Sequence, residues 1–133
     1  MFLLDWSECV ARLLVADDDI LFRELVRLKL EAVGHQVHMA ADGYVALTAA
    51  CALKPDLLIL DNMMPVMTGP EVLREIRRMP DMIDIPVIIL SARSREEDIV
   101  AALKAGAADY LTKPFIPDEL TIRTGRILAA RGL

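Results

Sequence analysis

Pro55-Asp56-Leu57-Leu58-Ile59-Leu60-Asp61-Asn62-Met63-Met64-Pro65 sets four consecutive apolar residues, Leu57 to Leu60, between a Pro-Asp start and a Pro stop. So short a run cannot sustain a helix of its own, and it predicts a strand buried on both faces with Asp61 at its C-terminal end. A carboxylate in that position must be hydrated, paired or metal-bound, because burying it alone would force it to take up a proton. Asp61 is therefore the first candidate for chemistry. Taken by itself it reads more simply as a strand-ending Asp that accepts backbone N–H groups in a turn.

The same pattern occurs upstream, where Arg12-Leu13-Leu14-Val15-Ala16 runs into Asp17-Asp18-Asp19. From Ile20 the period becomes helical, with Leu21, Leu25, Leu28 and Ala32 in phase, Asp19 as N-cap and Gly34 as the stop. Gln36 to Ala40 predicts a second strand, and Asp42-Gly43 opens a helix to Leu53 that turns Val45, Ala46, Ala49 and Ala50 inward. Downstream of the Asp61 loop, Thr68-Gly69-Pro70-Glu71 has the form of a capping box, followed by Val72, Leu73 and Ile76. Ile85 to Leu90 predicts a fourth strand ending at Ser91. Ser94-Arg95-Glu96-Glu97 reads as a second capping box, opening a helix with Ile99, Val100 and Leu103 that stops at Gly106. Tyr110-Leu111-Thr112 is a short fifth strand, and Pro117 opens a last helix to about Ala130, with Gly125 inside it.

Strands alternating with helices predict an α/β fold, a doubly wound parallel sheet covered by helices on both faces. Strands covered on both sides need not alternate apolar with polar residues, which fits these continuous apolar runs. In such sheets sites form beyond the carboxyl ends of the strands. Asp17, Asp18, Asp61, Ser91 and Lys113 all fall there.

The 133 residues suit one domain, assigned to residues 11–131, with residues 1–10 as an N-terminal extension. A composition 55% hydrophobic and 26% charged is that of a soluble globular protein. The net charge of -5 supplies no electrostatic footprint for nucleic acid, so direct nucleic-acid binding is not expected of this domain. Met1 to Glu8 begins apolar but has no basic region and soon acquires Asp5 and Glu8, so neither a signal peptide nor a membrane span is expected. Trp6 reads as a packing residue. Cys9 and Cys51 fit no metal-ligand spacing, which points to reduced thiols in a cytoplasmic protein without a disulfide. His35 and His38 read as surface residues, and Met63, Met64 and Met67 as a loop packed on the core.

Carboxylates gathered at one rim repel each other and raise one another's pKa values unless positive charge sits among them. Lys113 supplies one charge. A hard divalent cation supplies the rest, and Mg2+ suits an open site of carboxylates, a backbone carbonyl and an incoming phosphate oxygen, whereas no His is placed to favour zinc. A carboxylate beside Mg2+, with a Lys and a hydroxyl at hand, can attack a phosphoryl group and form an acyl phosphate.

With these residues in place, the chain closely resembles the receiver domain of two-component response regulators. The resemblance runs from about Arg12 to Ala130. It is carried by Val15-Ala16-Asp17-Asp18, by Asp56 to Pro65 with Gly69, by Ile89-Leu90-Ser91-Ala92, and by Ala105-Gly106-Ala107-Ala108-Asp109-Tyr110-Leu111-Thr112-Lys113-Pro114-Phe115. It implies a flavodoxin-like sheet of order 2-1-3-4-5 with five helices. It further implies that Asp61 is the phosphoacceptor, Asp18 a direct Mg2+ ligand, Asp17 a second acid acting through water, and Met63 a ligand through its backbone carbonyl. Ser91 would follow the phosphoryl group, Lys113 would pair with it, and Tyr110 would swing inward on activation. The donor would be a sensor histidine kinase or a phosphotransfer protein. The protein would be a signalling switch, catalysing only its own phosphoryl transfer and slow dephosphorylation.

Output would use the face of the fourth helix, fifth strand and last helix, with an effector domain beyond Leu133 as one reader. Asp109 and Arg123 stand where related receivers form a cross-dimer ion pair, although Ile99 and Ala108 replace charges of that network. A phosphorylation-dependent homodimer is the corresponding expectation. The tight exit from strand five also predicts a cis Lys113-Pro114 bond, which only an X-Pro linkage adopts at low cost.

Two other readings compete. Asp17 and Asp19 form an Asp-x-Asp pair, as in haloacid-dehalogenase-like phosphatases, but Leu21 stands where a Thr is expected, and the late acidic pair is missing. A flavin module on the same kind of sheet would need a Gly/Ser/Thr-rich phosphate loop after strand one, and none follows.

Overall fold

The computed structural model describes residues 11–133, so the N-terminal extension, with Trp6 and Cys9, lies outside the described residues. The strands are β1 (Arg12–Ala16), β2 (Gln36–Ala40), β3 (Leu57–Asp61), β4 (Val87–Ser91) and β5 (Asp109–Thr112). They alternate with helices α1 (Ile20–Ala32), α2 (Gly43–Leu53), α3 (Gly69–Ile76), α4 (Glu96–Lys104) and α5 (Pro117–Ala130). The strands form one sheet of order β2-β1-β3-β4-β5, parallel throughout. Topology and strand order are those expected.

Continuous apolar strands are required because successive residues serve two separate cores. Leu58, Leu60 and Ile89 face Ala46 and Ala50 of α2 and Val72, Leu73 and Ile76 of α3, with Ile99 and Ala102 of α4 packed at the margin. Leu57, Ile59, Ile88 and Leu90 face the opposite way, toward Val26 and Leu30 of α1 and Leu120 and Leu128 of α5. In the centre of the sheet every residue of β3 and β4 is buried. The register pairs Ala16 with Leu60, Asp61 with Leu90 and Ser91 with Thr112, so the strand ends form a single rim.

Three helix starts follow the sequence. Asp19 accepts the N–H of Phe22 at 3.1 Å, and Asp42 accepts that of Val45 at 2.8 Å. Thr68 and Glu71 close a full capping box. The fourth differs, because α4 starts at Glu96 with Arg95 at the N-cap and no side-chain cap from Ser94. Its first turn carries Glu96, Glu97 and Asp98, whose charge favours the helix N-terminus without a capping hydroxyl.

The helical phase of α1 is also corrected. Leu21, Leu25 and Leu28 are exposed, and Phe22, Val26 and Leu30 pack inward. Both stripes have helical spacing, and the geometry of entry from β1 selects the second. Val45 of α2 is likewise exposed while Ala46 and Ala50 are buried. His35 is half-buried, with burial lowering its pKa and its Nδ1 left without a partner, so it is not the surface residue expected. β4 begins at Val87, two residues later than Ile85, and Pro86 instead gives its carbonyl to the Leu58 N–H at 3.0 Å. None of the described helices is long and apolar enough to cross a membrane.

Candidate functional site

The ends of β1 and β3 bring Asp17, Asp18 and Asp61 together, each offering a carboxylate oxygen within 4.8 Å of the others. Asp17 is 1% exposed and Asp61 8%, whereas Asp18 is open to solvent. From the end of β5, Lys113 reaches across and donates to Asp17 at 2.9 Å and Asp61 at 3.0 Å. The expected cis Lys113-Pro114 bond is present.

Charge in this site is unbalanced, with one ammonium among three carboxylates. Burial pushes the Asp61 pKa up; the hydrogen bond from Lys113 opposes it, and the Asp17 and Asp18 charges add to the rise. Burial pulls the Lys113 pKa down, but its bonds to Asp17 and Asp61 outweigh that, so it is raised and the ammonium is secure. The donors are all hard oxygens, with neither imidazole nor thiolate among them. Such a set fits Mg2+, since a divalent cation would cancel the remaining repulsion and still leave room for phosphate oxygens.

Residues around the cluster hold it in place. Asp17 accepts the Asp19 N–H at 2.9 Å on its side chain and the Arg23 guanidinium at 2.9 Å on its carbonyl. Asn62 donates its N–H to Leu90 at 2.7 Å and accepts that of Gly69 at 3.1 Å, closing the loop after Asp61. A Cβ on Gly69 would stand 2.5 Å from the Asp61 carbonyl, and one on Gly43 would run into the carbonyl of Met67. Both glycines are thus demanded by close backbone approach. Met63 lies exposed on this loop.

Ser91 and Tyr110 are joined through one residue. The buried Ser91 hydroxyl accepts the Arg93 N–H at 3.0 Å, and the Tyr110 hydroxyl donates to the Arg93 carbonyl at 2.8 Å. Tyr110 is only 8% exposed, which is the inward position. Arg123 binds Asp109 at 2.8 Å and Glu119 at 3.0 Å within its own chain, so the residues expected to pair between protomers are already paired here.

Several contributors were not anticipated. Phe22 lies under Lys113, with Nζ 4.3 Å from the ring centroid, and meets Phe115 edge-on at 5.6 Å. An ammonium over an aromatic face is held electrostatically, so Phe22 and Phe115 form a shelf for the lysine. The Arg23 contact with the Asp17 carbonyl and the shared Arg93 were also missed. An aromatic close behind the acidic triplet, matched to Phe115 after Lys113-Pro114, was the available signal for the shelf.

This rim of acids with a bridging lysine, on a sheet of this order, is the arrangement of a receiver domain, and the sequence agrees. The profile of the family described as "Response regulator receiver domain" matches residues 13–124, and the chain belongs to that family. Among curated relatives, the response regulator MprA of Mycobacterium avium is 44% identical over 117 residues, which cover 88% of this chain and 50% of the relative. The chain thus spans about half the length of these curated relatives. The receiver domain of the Francisella response regulator 1452 superposes with a TM-score of 0.85 at 40% identity, covering 92% of this chain and 99% of that one. The chemotaxis protein CheY4 of Vibrio cholerae gives 0.83 at 34% identity, covering 88% and 98%. The phosphatase alternative is not supported: Asp19, the second acid it requires, is spent on capping α1 and stands outside the carboxylate cluster.

Proposed function

We propose that the chain accepts a phosphoryl group on Asp61 and works as the receiver of a cytoplasmic two-component pathway. The observation that carries this reading is Lys113 bridging Asp17 and Asp61 beside the solvent-open Asp18. An Asp61 oxygen attacks phosphorus as the donor's P–N or P–O bond breaks, and the product is an aspartyl phosphate. Lys113 is positioned to exchange its bond with the Asp61 carboxylate for one with the incoming phosphoryl oxygen. Asp18, Asp61 and the Met63 carbonyl would hold Mg2+ directly and Asp17 through a water. When bound, Mg2+ neutralises charge and polarises the phosphoryl oxygens. Ser91 would turn from the Arg93 N–H to the phosphoryl group, loosening the residue that also anchors Tyr110.

Mass spectrometry after incubation with acetyl phosphate tests the chemistry. One added phosphoryl group is expected with Mg2+ and none with excess chelator, and equal labelling in both would overturn the metal assignment. The physiological donor would be a histidine kinase or phosphotransfer protein docking on the exposed Ile20, Leu21 and Leu25, which follow the acidic triplet directly in the chain. Leu25→Asp should therefore slow transfer from a phosphorylated donor protein by about tenfold, the loss of one buried apolar side chain, yet leave labelling by acetyl phosphate unchanged. Slowing of both would refute the docking surface.

For output we favour the α4–β5–α5 face, where α4 exposes Val100 and Leu103. An effector domain beyond Leu133, or a second copy of the chain, would read it. Symmetric dimerisation there would require Arg123 to leave its own Asp109 and Glu119 for those of the partner, an exchange of partly exposed pairs worth only about 0–1 kcal/mol. Sedimentation should show a monomer that shifts toward dimer with a beryllofluoride mimic, and Arg123→Glu should remove the shift. A dimer indifferent to that substitution would point to another surface.

A further inference from the structure

Between α3 and α4, on the sheet face that carries both, lies a cavity of about 620 Å3, within the range that encloses small organic ligands. Its apolar wall includes Leu73, Ile89, Ala102 and the Tyr110 ring. Arg74, Arg77, Arg78 and Arg93 also line it, with Asp98 as the one acid among the lining residues. In a chain of net charge -5 this is a local excess of positive charge, four guanidiniums against one carboxylate.

The guanidiniums are only partly satisfied. Arg77 donates to the carbonyls of Ile85 at 2.9 Å and Gly106 at 2.7 Å, which fixes its position without neutralising it. Arg74 makes no ion pair among the described residues, Arg78 has an exposed partner in Glu75 at 3.1 Å, and Arg93 approaches Asp98 only at 4.0 Å. The space persists because α4 seals it poorly. That helix has no fully buried residue and turns Ala101 and Ala102 to the cavity, with Ala105 at its C-cap, where longer side chains would fill the gap.

We propose that this cavity binds an organic anion with a flat apolar body and a phosphate, carboxylate or sulfonate head. The body would lie against Leu73, Ile89, Ala102 and Tyr110, and the head would meet the arginines. Two oxygens of a carboxylate, phosphate or sulfonate can each accept a guanidinium N–H, and an apolar body gains from leaving water. The site shares Tyr110 with the switch and reaches Asn62 and Met63 of the loop after Asp61, but none of the three clustered carboxylates nor Lys113 lines it.

The probe is 8-anilinonaphthalene-1-sulfonate, titrated into the full chain at low salt and followed by its fluorescence. Saturable binding at one site is expected, with amide resonances of Ala101, Ala102 and Ala105 shifting. Arg74→Glu combined with Arg78→Glu, both exposed and so tolerable to the fold, should weaken binding about tenfold, since each screened charge is worth up to about 1 kcal/mol. Ala105→Trp, placed over the opening, should weaken it independently of charge. The uncharged N-phenyl-1-naphthylamine should bind less tightly than the sulfonate. Absence of saturable binding, equal affinity in both variants, equal affinity for the uncharged probe, or shifts centred on the apolar face of α1 would each overturn the proposal.

Discussion

Asp61→Asn is expected to lose phosphoryl incorporation completely and, with no divalent cation present, to be more stable than the parent chain near neutral pH. Burial, opposed by Lys113 and reinforced by the Asp17 and Asp18 charges, raises the pKa of Asp61 in the folded state. The folded protein therefore binds the Asp61 proton more tightly than the unfolded chain does. Stability falls as pH rises from the ordinary aspartate value of about 3.9 through the raised one, and stays lower above it. Asn carries no charge and escapes this loss. Urea midpoints without cation should then show a gain for Asp61→Asn at pH 7.5 that shrinks toward pH 4. Saturating Mg2+ should reverse the order at neutral pH, since a ligand at 100 times its Kd stabilises the folded state by about 2.7 kcal/mol. A gain that grows toward low pH, or persistent labelling of the variant, would contradict both the electrostatics and the assignment.

A comparably large effect is expected from one methyl group at Gly43. Its Cβ would collide with the carbonyl of Met67, and the same addition at Gly69 would press on the carbonyl of Asp61. Backbone atoms cannot rotate away as a flexible side chain can. Gly43→Ala and Gly69→Ala should each cost about 1–3 kcal/mol or more, a large share of the roughly 5–15 kcal/mol that holds a domain together. Gly125 provides the contrast, because nothing lies within 4 Å of a Cβ built there, inside α5. Gly125→Ala should add about 0.5–1 kcal/mol through helix propensity. Urea titration of the three variants distinguishes steric demand from propensity. Similar midpoints for all three would mean that the loop from Asn62 to Thr68 yields readily.

The sheet was legible because β1, β3 and β4 carry continuous apolar runs that end in acids or Ser, and parallel topology brings those ends together with Lys113 after β5. Asp17, Asp18, Asp61, Ser91 and Lys113 followed from that alone. Helix faces were harder to read. In α1, Leu21, Leu25 and Leu28 have spacing as good as that of Phe22, Val26 and Leu30, and only the path of the chain out of β1 decides between them. Ser94 illustrates a local signal overruled by its neighbours, since Glu96, Glu97 and Asp98 suit the start of α4 without it. Contacts made by long side chains left no trace in the pattern. Phe22 beneath Lys113 and Arg77 on the carbonyls of Ile85 and Gly106 join residues far apart in sequence.

The shallow seating of α4 bears on how the domain can evolve. A helix with no fully buried residue, touching one core only through Ile99 and Ala102, contributes little to either core, so its opening would draw on a small local free energy and not on that of the whole fold. Substitutions that strengthen the sheet would then leave the opening of α4 nearly untouched. Durability and the proposed response would then reside in different parts of the molecule, and selection could adjust one without weakening the other.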